Sequence, residues 1–78
     1  MNKEQRILLE KLASHIEDVI SDLEMIRDEE QEKVDNAPEN LQYSARYEQM
    51  QDIADSIQLV IDALDNAVDE LRTEVIDL

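Results

Sequence analysis

The sequence predicts an all-α protein: an antiparallel two-helix hairpin of the coiled-coil kind that pairs with a second hairpin to form a four-helix bundle. Three observations predict it. Tyr47, Met50, Ala54, Ile57, Ile61, Leu64, Val68, Leu71, Val75 and Leu78 follow one another at steps of three and four. That spacing holds an apolar seam along one side of a helix. A second ladder, Leu9, Leu12, Ile16, Val19, Leu23 and Ile26, does the same nearer the start of the chain. Between the two lies the single proline, Pro38, in a chain of 78 residues that contains no Gly, Trp or Phe. Helix interiors tolerate that composition, and tight sheet turns do not.

Residues 1–78 read as one small domain, since 42% apolar with 36% charged residues fits an ordered helical protein. Helix one is expected at about residues 3–34, with Leu8, Ala13 and Ile20 widening its seam on either flank. After Ile26 the run Arg27 to Lys33, R-D-E-E-Q-E-K, stays helix-prone but has no apolar seam until Val34, so this end of the helix is weakly anchored. The connector, residues 35–44, reads D-N-A-P-E-N-L-Q-Y-S and holds every helix-breaking signal in the chain. Pro38 disfavours helical geometry at Ala37, Asn36 tolerates the left-handed conformation that often ends a helix, and residues 38–42 suit one short helical turn. Ser44 is the expected cap of helix two, placed at about 44–77. Two helices of roughly 50 Å each, joined by a short connector, must run antiparallel.

A lone hairpin leaves this sequence with apolar surface to spare. Ile53, Val60 and Ala67 broaden the seam of helix two as Ala13 and Ile20 broaden that of helix one, so each face covers three positions per heptad. Faces that wide suit bundles of three or four helices. Leaving four aliphatic side chains exposed would forfeit about 8 kcal/mol at about 2 kcal/mol each, comparable with the whole stability of a small domain. Self-association into a homodimer is the expected remedy, and docking of a foreign helix the other.

Charge narrows the partners. The chain holds 21 acidic and 7 basic residues, a net charge of -14. Direct binding to nucleic acid or anionic lipid needs Lys and Arg to replace counterions, so a protein with a basic surface is the expected partner, with neither nucleic acid nor membrane bound directly. Glu10, Glu17 and Glu24 recur every seven residues on helix one, as do Glu48, Asp55, Asp62 and Asp69 on helix two, and these form candidate acidic ridges. Two copies would spread about 28 negative charges over roughly 50 Å, one per roughly 1.8 Å, near the one per about 1.7 Å of duplex DNA. Nucleic-acid mimicry is therefore physically open, although a solvated acidic face is the simpler reading.

Chemistry is sparse. His15 is the only His, and its neighbour Ser14 points away from it on a helix, so His15 reads as a helix-flank side chain and not a catalytic base. H-E-x-x-H is absent, and Leu12 stands where the E-x-x-H pair of di-iron bundles needs Glu. Without Gly there is no phosphate-cradling or EF-hand loop, and without Cys no disulfide or thiolate metal site. The cluster Asp28-Glu29-Glu30 reads as a solvated face. No enzyme activity, cofactor or metal is expected. The longest apolar runs, Ile7 to Leu9 and Leu59 to Ile61, are too short to span a membrane, and the first residues lack the layout of a signal peptide, so the expected location is the cytoplasm. At the connector end, Leu41, Tyr43 and Arg46 with Met50 form a candidate partner tip, because aromatic, Met and Arg side chains are enriched at interfaces. Tyr47 is expected to pack inside the hairpin near Val34.

The segment D-N-A-P-E-N-L-Q-Y-S-A-R-Y-E, Asp35 to Glu48, resembles the connector of a group of small, largely uncharacterised helical-hairpin proteins from bacteriophages and mobile elements. In that group a D-N-x-P-E-N-L-Q-x-S-x-R-Y-E-like connector joins two helices. The resemblance implies a phage or mobile-element origin, and host cytoplasm as the compartment, but carries over no activity or site residue. Secreted hairpins of the WxG type need Trp and Gly, which this chain lacks, and RNA-binding hairpin dimers need a basic face.

Three functions remain open. The chain is a non-catalytic acidic module that binds a host or phage protein, an inhibitor that imitates nucleic acid against a DNA- or RNA-binding or defence protein, or an antitoxin-like or chaperone-like neutraliser of a basic partner that uses the seam itself.

Overall fold

In a computed structural model, which describes residues 1–41 and 44–77, the chain is a helical hairpin 60 Å long and 16 Å by 12 Å across. Helix α1 is Lys3–Asp35, a single 3-10 turn occupies Glu39–Leu41, and helix α2 is Ala45–Glu70, running on into a π-helical turn at Leu71–Ile76.

Local chemistry sets each boundary. Asn2 caps α1: its Oδ1 accepts the Gln5 backbone N–H at 2.8 Å, and Gln5 Oε1 accepts the Asn2 N–H at 3.3 Å, which satisfies two donors the helix leaves unpaired. The helix closes at Asn36, whose backbone has φ -96° and ψ 4° and whose N–H reaches Glu32 O. This is not the left-handed ending expected of Asn36, and no described residue has a positive φ. Pro38 two residues on suffices to stop the helix. Ser44 caps α2, with its Oγ accepting the Tyr47 N–H at 3.1 Å while its hydroxyl donates to Leu41 O at 2.7 Å.

The core is thin. Among the described residues Ala13, Ile20, Val34, Ala54, Ile61 and Val68 are buried, and Ala13, Ile20, Ile61 and Val68 cluster with half-buried Ile16, Leu23, Ile57, Leu64 and Leu71 around them. In heptad terms Ala13, Ile20 and Val34 take position a on α1, and Leu9, Ile16 and Leu23 take d. On α2, Tyr47, Ala54, Ile61 and Val68 take a, and Met50, Ile57, Leu64 and Leu71 take d.

That register departs from the expected seam on α1. Leu12, Val19 and Ile26 are 46%, 43% and 46% exposed, while their expected flankers Ala13 and Ile20 sit at the centre. The steps 9-12-16 and 9-13-16 both alternate three and four, so both are valid seams about the same d positions. The small Ala13 and the bulky Ile20 are the ones α2 covers. On α2 the expected ladder is the buried one as far as Leu71, and then the π turn intervenes. Its i to i+5 bonding, seen where Asp77 N–H reaches Arg72 O at 2.9 Å, adds one residue to the turn, so Ile76 is half-buried and Val75 is exposed instead. Leu78 and Tyr43 lie outside the described residues.

Candidate functional site

Two antiparallel helices meeting through a and d positions place their e positions along one flank and their g positions along the other. Here the two flanks have opposite chemistry.

The e flank is polar and acidic. Arg72 Nη2 donates to Glu10 Oε1 at 3.0 Å and to Glu17 Oε1 at 2.6 Å, so one α2 cation clamps two α1 carboxylates at the terminal end of the hairpin. The hydrogen bond from Arg72, with its charge, holds the Glu17 carboxyl below its ordinary pKa, while Glu17 and Glu10 together push the guanidinium further up. A carboxyl with a lowered folded pKa contributes stability above its unfolded pKa and loses it as pH falls through the folded one. The Arg72–Glu17 pair is therefore expected to contribute fully above the ordinary carboxyl pKa and to lose that contribution as pH falls below it toward the lowered value. Arg72→Ala should lower the melting temperature at low salt, by an amount that shrinks as salt rises, as scanning calorimetry at two salt concentrations would show.

Further along this flank the stretch without a seam has its own packing. Arg27, at an a position, donates through Nη1 to Gln58 Oε1 at 2.5 Å, and Gln31 and Gln51 exchange amide hydrogen bonds at 3.3 and 3.1 Å. Each of these glutamines also donates to a carboxylate, Gln31 to Asp35, Gln51 to Asp55 and Gln58 to Asp62. Arg27, Gln31, Gln51 and Gln58 thus form a half-buried polar layer, which joins the end of α1 to α2 alongside buried Val34 and Ala54. Gln31→Leu with Gln51→Leu should raise the melting temperature, since apolar replacements of both partners leave no polar group orphaned, whereas Gln51→Leu alone should lower it.

The two candidate acidic ridges fall on this same side. Glu10, Glu17 and Glu24 are e residues of α1, and Glu48, Asp55, Asp62 and Asp69 occupy position b of α2, next to its e row. All seven are exposed. Glu10 and Glu17 are, however, committed to Arg72. In the Asp28-Glu29-Glu30 cluster, Asp28 pairs with Arg27 and Glu30 with Lys33. Among the described residues no group of three or more His, Asp or Glu side chains could hold a metal ion.

The g flank is apolar. Leu12, Val19 and Ile26 of α1 and Ile53, Val60 and Ala67 of α2 occupy it, all exposed. The π turn extends the row by presenting Val75. The neighbouring c positions are uncharged at Leu8, Gln49, Ser56 and Ala63 and acidic at Asp22, Glu29 and Glu70. A shallow cleft of about 450 Å³ between Leu9, Leu12, Ile16, Val19 and Leu71 opens on this flank near the termini. A second, also about 450 Å³, opens at the connector end, lined by Lys33, Pro38, Leu41, Arg46, Tyr47 and Met50. Leu41 and Arg46 of the candidate tip therefore border the apolar flank and are exposed, while Tyr47 is half-buried.

Sequence reasoning did not find the Arg72 clamp or the polar layer. The signal existed: with Ala13 and Ile20 at position a, Glu10, Glu17, Gln31, Gln51, Gln58 and Arg72 all become e residues. Among the described residues no helix is long and apolar enough to cross a membrane. Comparison with protein-family models, with curated proteins and with solved structures found no match to this chain.

Proposed function

We propose that this chain is a non-catalytic protein-interaction module that dimerises through its apolar flank into a four-helix bundle and presents its acidic flanks to a basic surface on a partner protein. The observation that carries this reading is the segregation itself. A chain of net charge -14 keeps a row of exposed aliphatic side chains, Leu12, Val19, Ile26, Ile53, Val60 and Ala67, along one flank of the hairpin, while its heptad-spaced acidic ridges lie on the other. Exposed aliphatic rows of this length belong to interfaces. The thin core supports the same conclusion, because six buried residues among those described, two of them Ala, give a hairpin little stability of its own. The connector's resemblance supports a phage or mobile-element setting, with a host or phage protein as the partner and the host cytoplasm as the place of action.

The test is solution mass by light scattering over a wide concentration range at low and high salt. A dimer that persists at high salt is expected, because apolar burial is not screened, together with a melting temperature that rises with protein concentration. A monomer throughout would overturn the reading and leave the flank to a foreign helix, as in an antitoxin-like or chaperone-like neutraliser.

Nucleic-acid mimicry is the second reading, favoured by the density of charge. Two hairpins 60 Å long would carry about one negative charge per roughly 2 Å, near that of the duplex. Under either acidic reading, Asp55→Asn with Asp62→Asn and Asp69→Asn should leave the mass unchanged and weaken capture of a basic partner. Displacement of the partner by duplex DNA would single out the mimic.

A further inference from the structure

We infer that the apolar flank is covered by a second copy of this chain running in the opposite direction, related by a two-fold axis that crosses the hairpin near mid-length, between the levels of Val19 and Val60. This rests on the reading of self-association above and specifies its geometry.

Two symmetric pairings bury the flank. A two-fold axis along the length of the bundle lays α1 of one copy on α2 of the other with like ends together. An axis across the bundle lays α1 on α1 and α2 on α2 with opposite ends together. The apolar rows accept both, since each runs through mid-length, α1 past Val19 and α2 past Val60. The charged residues that border the rows do not.

At the connector end the flank is bounded by exposed Arg46 and by exposed Lys33, which pairs with Glu30 of its own helix; both cations lie in heptad position g and line the cleft there. At the terminal end it is bounded by exposed Glu70 and Glu74, beside the Val75 that the π turn presents. The lengthwise axis sets Lys33 of one copy against Arg46 of the other, twice. The crosswise axis sets the Lys33 and Arg46 end of each copy on the Glu70 and Glu74 end of the other. Like charges facing each other oppose a pairing and opposite charges set its register. The same borders argue against a basic foreign helix as the occupant, since it would meet two cations at the connector end.

The area is adequate. A face 60 Å by 16 Å offers roughly 950 Å² per copy, so contact over the whole of two such faces would bury roughly 1,900 Å², above the roughly 1,000 Å² total that a specific interface requires, and the apolar rows alone would supply roughly half of it.

The absence of native Cys makes the test clean. Val19→Cys and Val60→Cys would be prepared separately, checked for helicity by circular dichroism, and oxidised at a concentration where scattering shows a dimer. The crosswise arrangement brings each position against its own copy, so each variant alone should give a disulfide-linked dimer on non-reducing gels. Cross-linking only when the two variants are mixed would overturn the inference in favour of the lengthwise axis and leave self-association standing. A monomeric wild-type chain would overturn both. Charge reversal gives an independent readout: Lys33→Glu with Arg46→Glu should weaken homodimerisation about tenfold, and mixing with a Glu70→Lys, Glu74→Lys chain should restore it. Undiminished dimerisation of the first variant would overturn the inference.

Discussion

Val60→Glu is expected to raise the dimer dissociation constant by about a thousandfold or more. Val60 is 50% exposed in the hairpin, so its side chain does little for the fold of one chain. In the proposed bundle it lies at the centre of the interface and is buried twice, once from each copy. Each substitution removes an aliphatic contact of about 1.5 to 3 kcal/mol and leaves an unpaired carboxylate in an apolar surround, a further several kcal/mol. Even partial relaxation leaves a loss above about 4 kcal/mol, or roughly three powers of ten. Sedimentation or light scattering across concentration measures it directly. Leu59→Glu is the control: Leu59 is 69% exposed on the outer face, and its change should leave the mass untouched. Dissociation by Leu59→Glu with Val60→Glu still dimeric would put the interface on the wrong side of the hairpin.

Ile61→Ala should act on folding instead. Ile61 is buried in the cluster with Ala13, Ile20 and Val68, and truncating a buried Ile costs about 2 to 5 kcal/mol from lost transfer energy and the cavity left behind. Against the roughly 5 to 15 kcal/mol that holds a small domain together, this is a large fraction, and the small cluster around Ile61 has little with which to collapse around the gap. Thermal unfolding followed by circular dichroism should show a transition lowered by many degrees, and Ile20→Ala with Ile61→Ala should leave the chain largely unfolded. Because the two side chains share one cluster, their effects should not simply add. A change of only a degree or two would mean that the cluster contributes little to stability.

Leu59, Val60 and Ile61 show how far the sequence could be read. As three adjacent aliphatic residues they look alike, yet one faces outward, one lies on the apolar flank and one is in the core. The long ladder on α2 distinguishes them, because a seam running from Tyr47 to Leu71 passes through Ile61 and leaves the other two off it. On α1 the same reasoning picked Leu12, Val19 and Ile26 where the hairpin buries Ala13 and Ile20, because two seams about Leu9, Ile16 and Leu23 satisfy the same spacing. Hydrophobic periodicity gives the face of a helix to within about one position, and only the partner helix decides which edge of a wide face is covered. The acidic ridges were legible as heptad repeats, but their commitment to Arg72 was not, since Arg72 is 62 residues from Glu10 in the chain. The π turn had no signature in composition or spacing.

The polar layer formed by Arg27, Gln31, Gln51 and Gln58 has a kinetic consequence. It divides the hairpin into a terminal half, held by the Ile20 and Ile61 cluster, and a connector half in which Val34 and Ala54 are the buried side chains. Hydrogen bonds between side chains that water can also serve resist local opening less than apolar packing does. In native-state hydrogen exchange, amides of residues 28–34 and 48–54 should therefore trade protons through openings cheaper than global unfolding, while those of 13–23 and 57–68 wait for the whole molecule to open. The hairpin would behave as a clamp with a stiff base and a compliant tip, and the cleft between Lys33 and Arg46 lies on the compliant part.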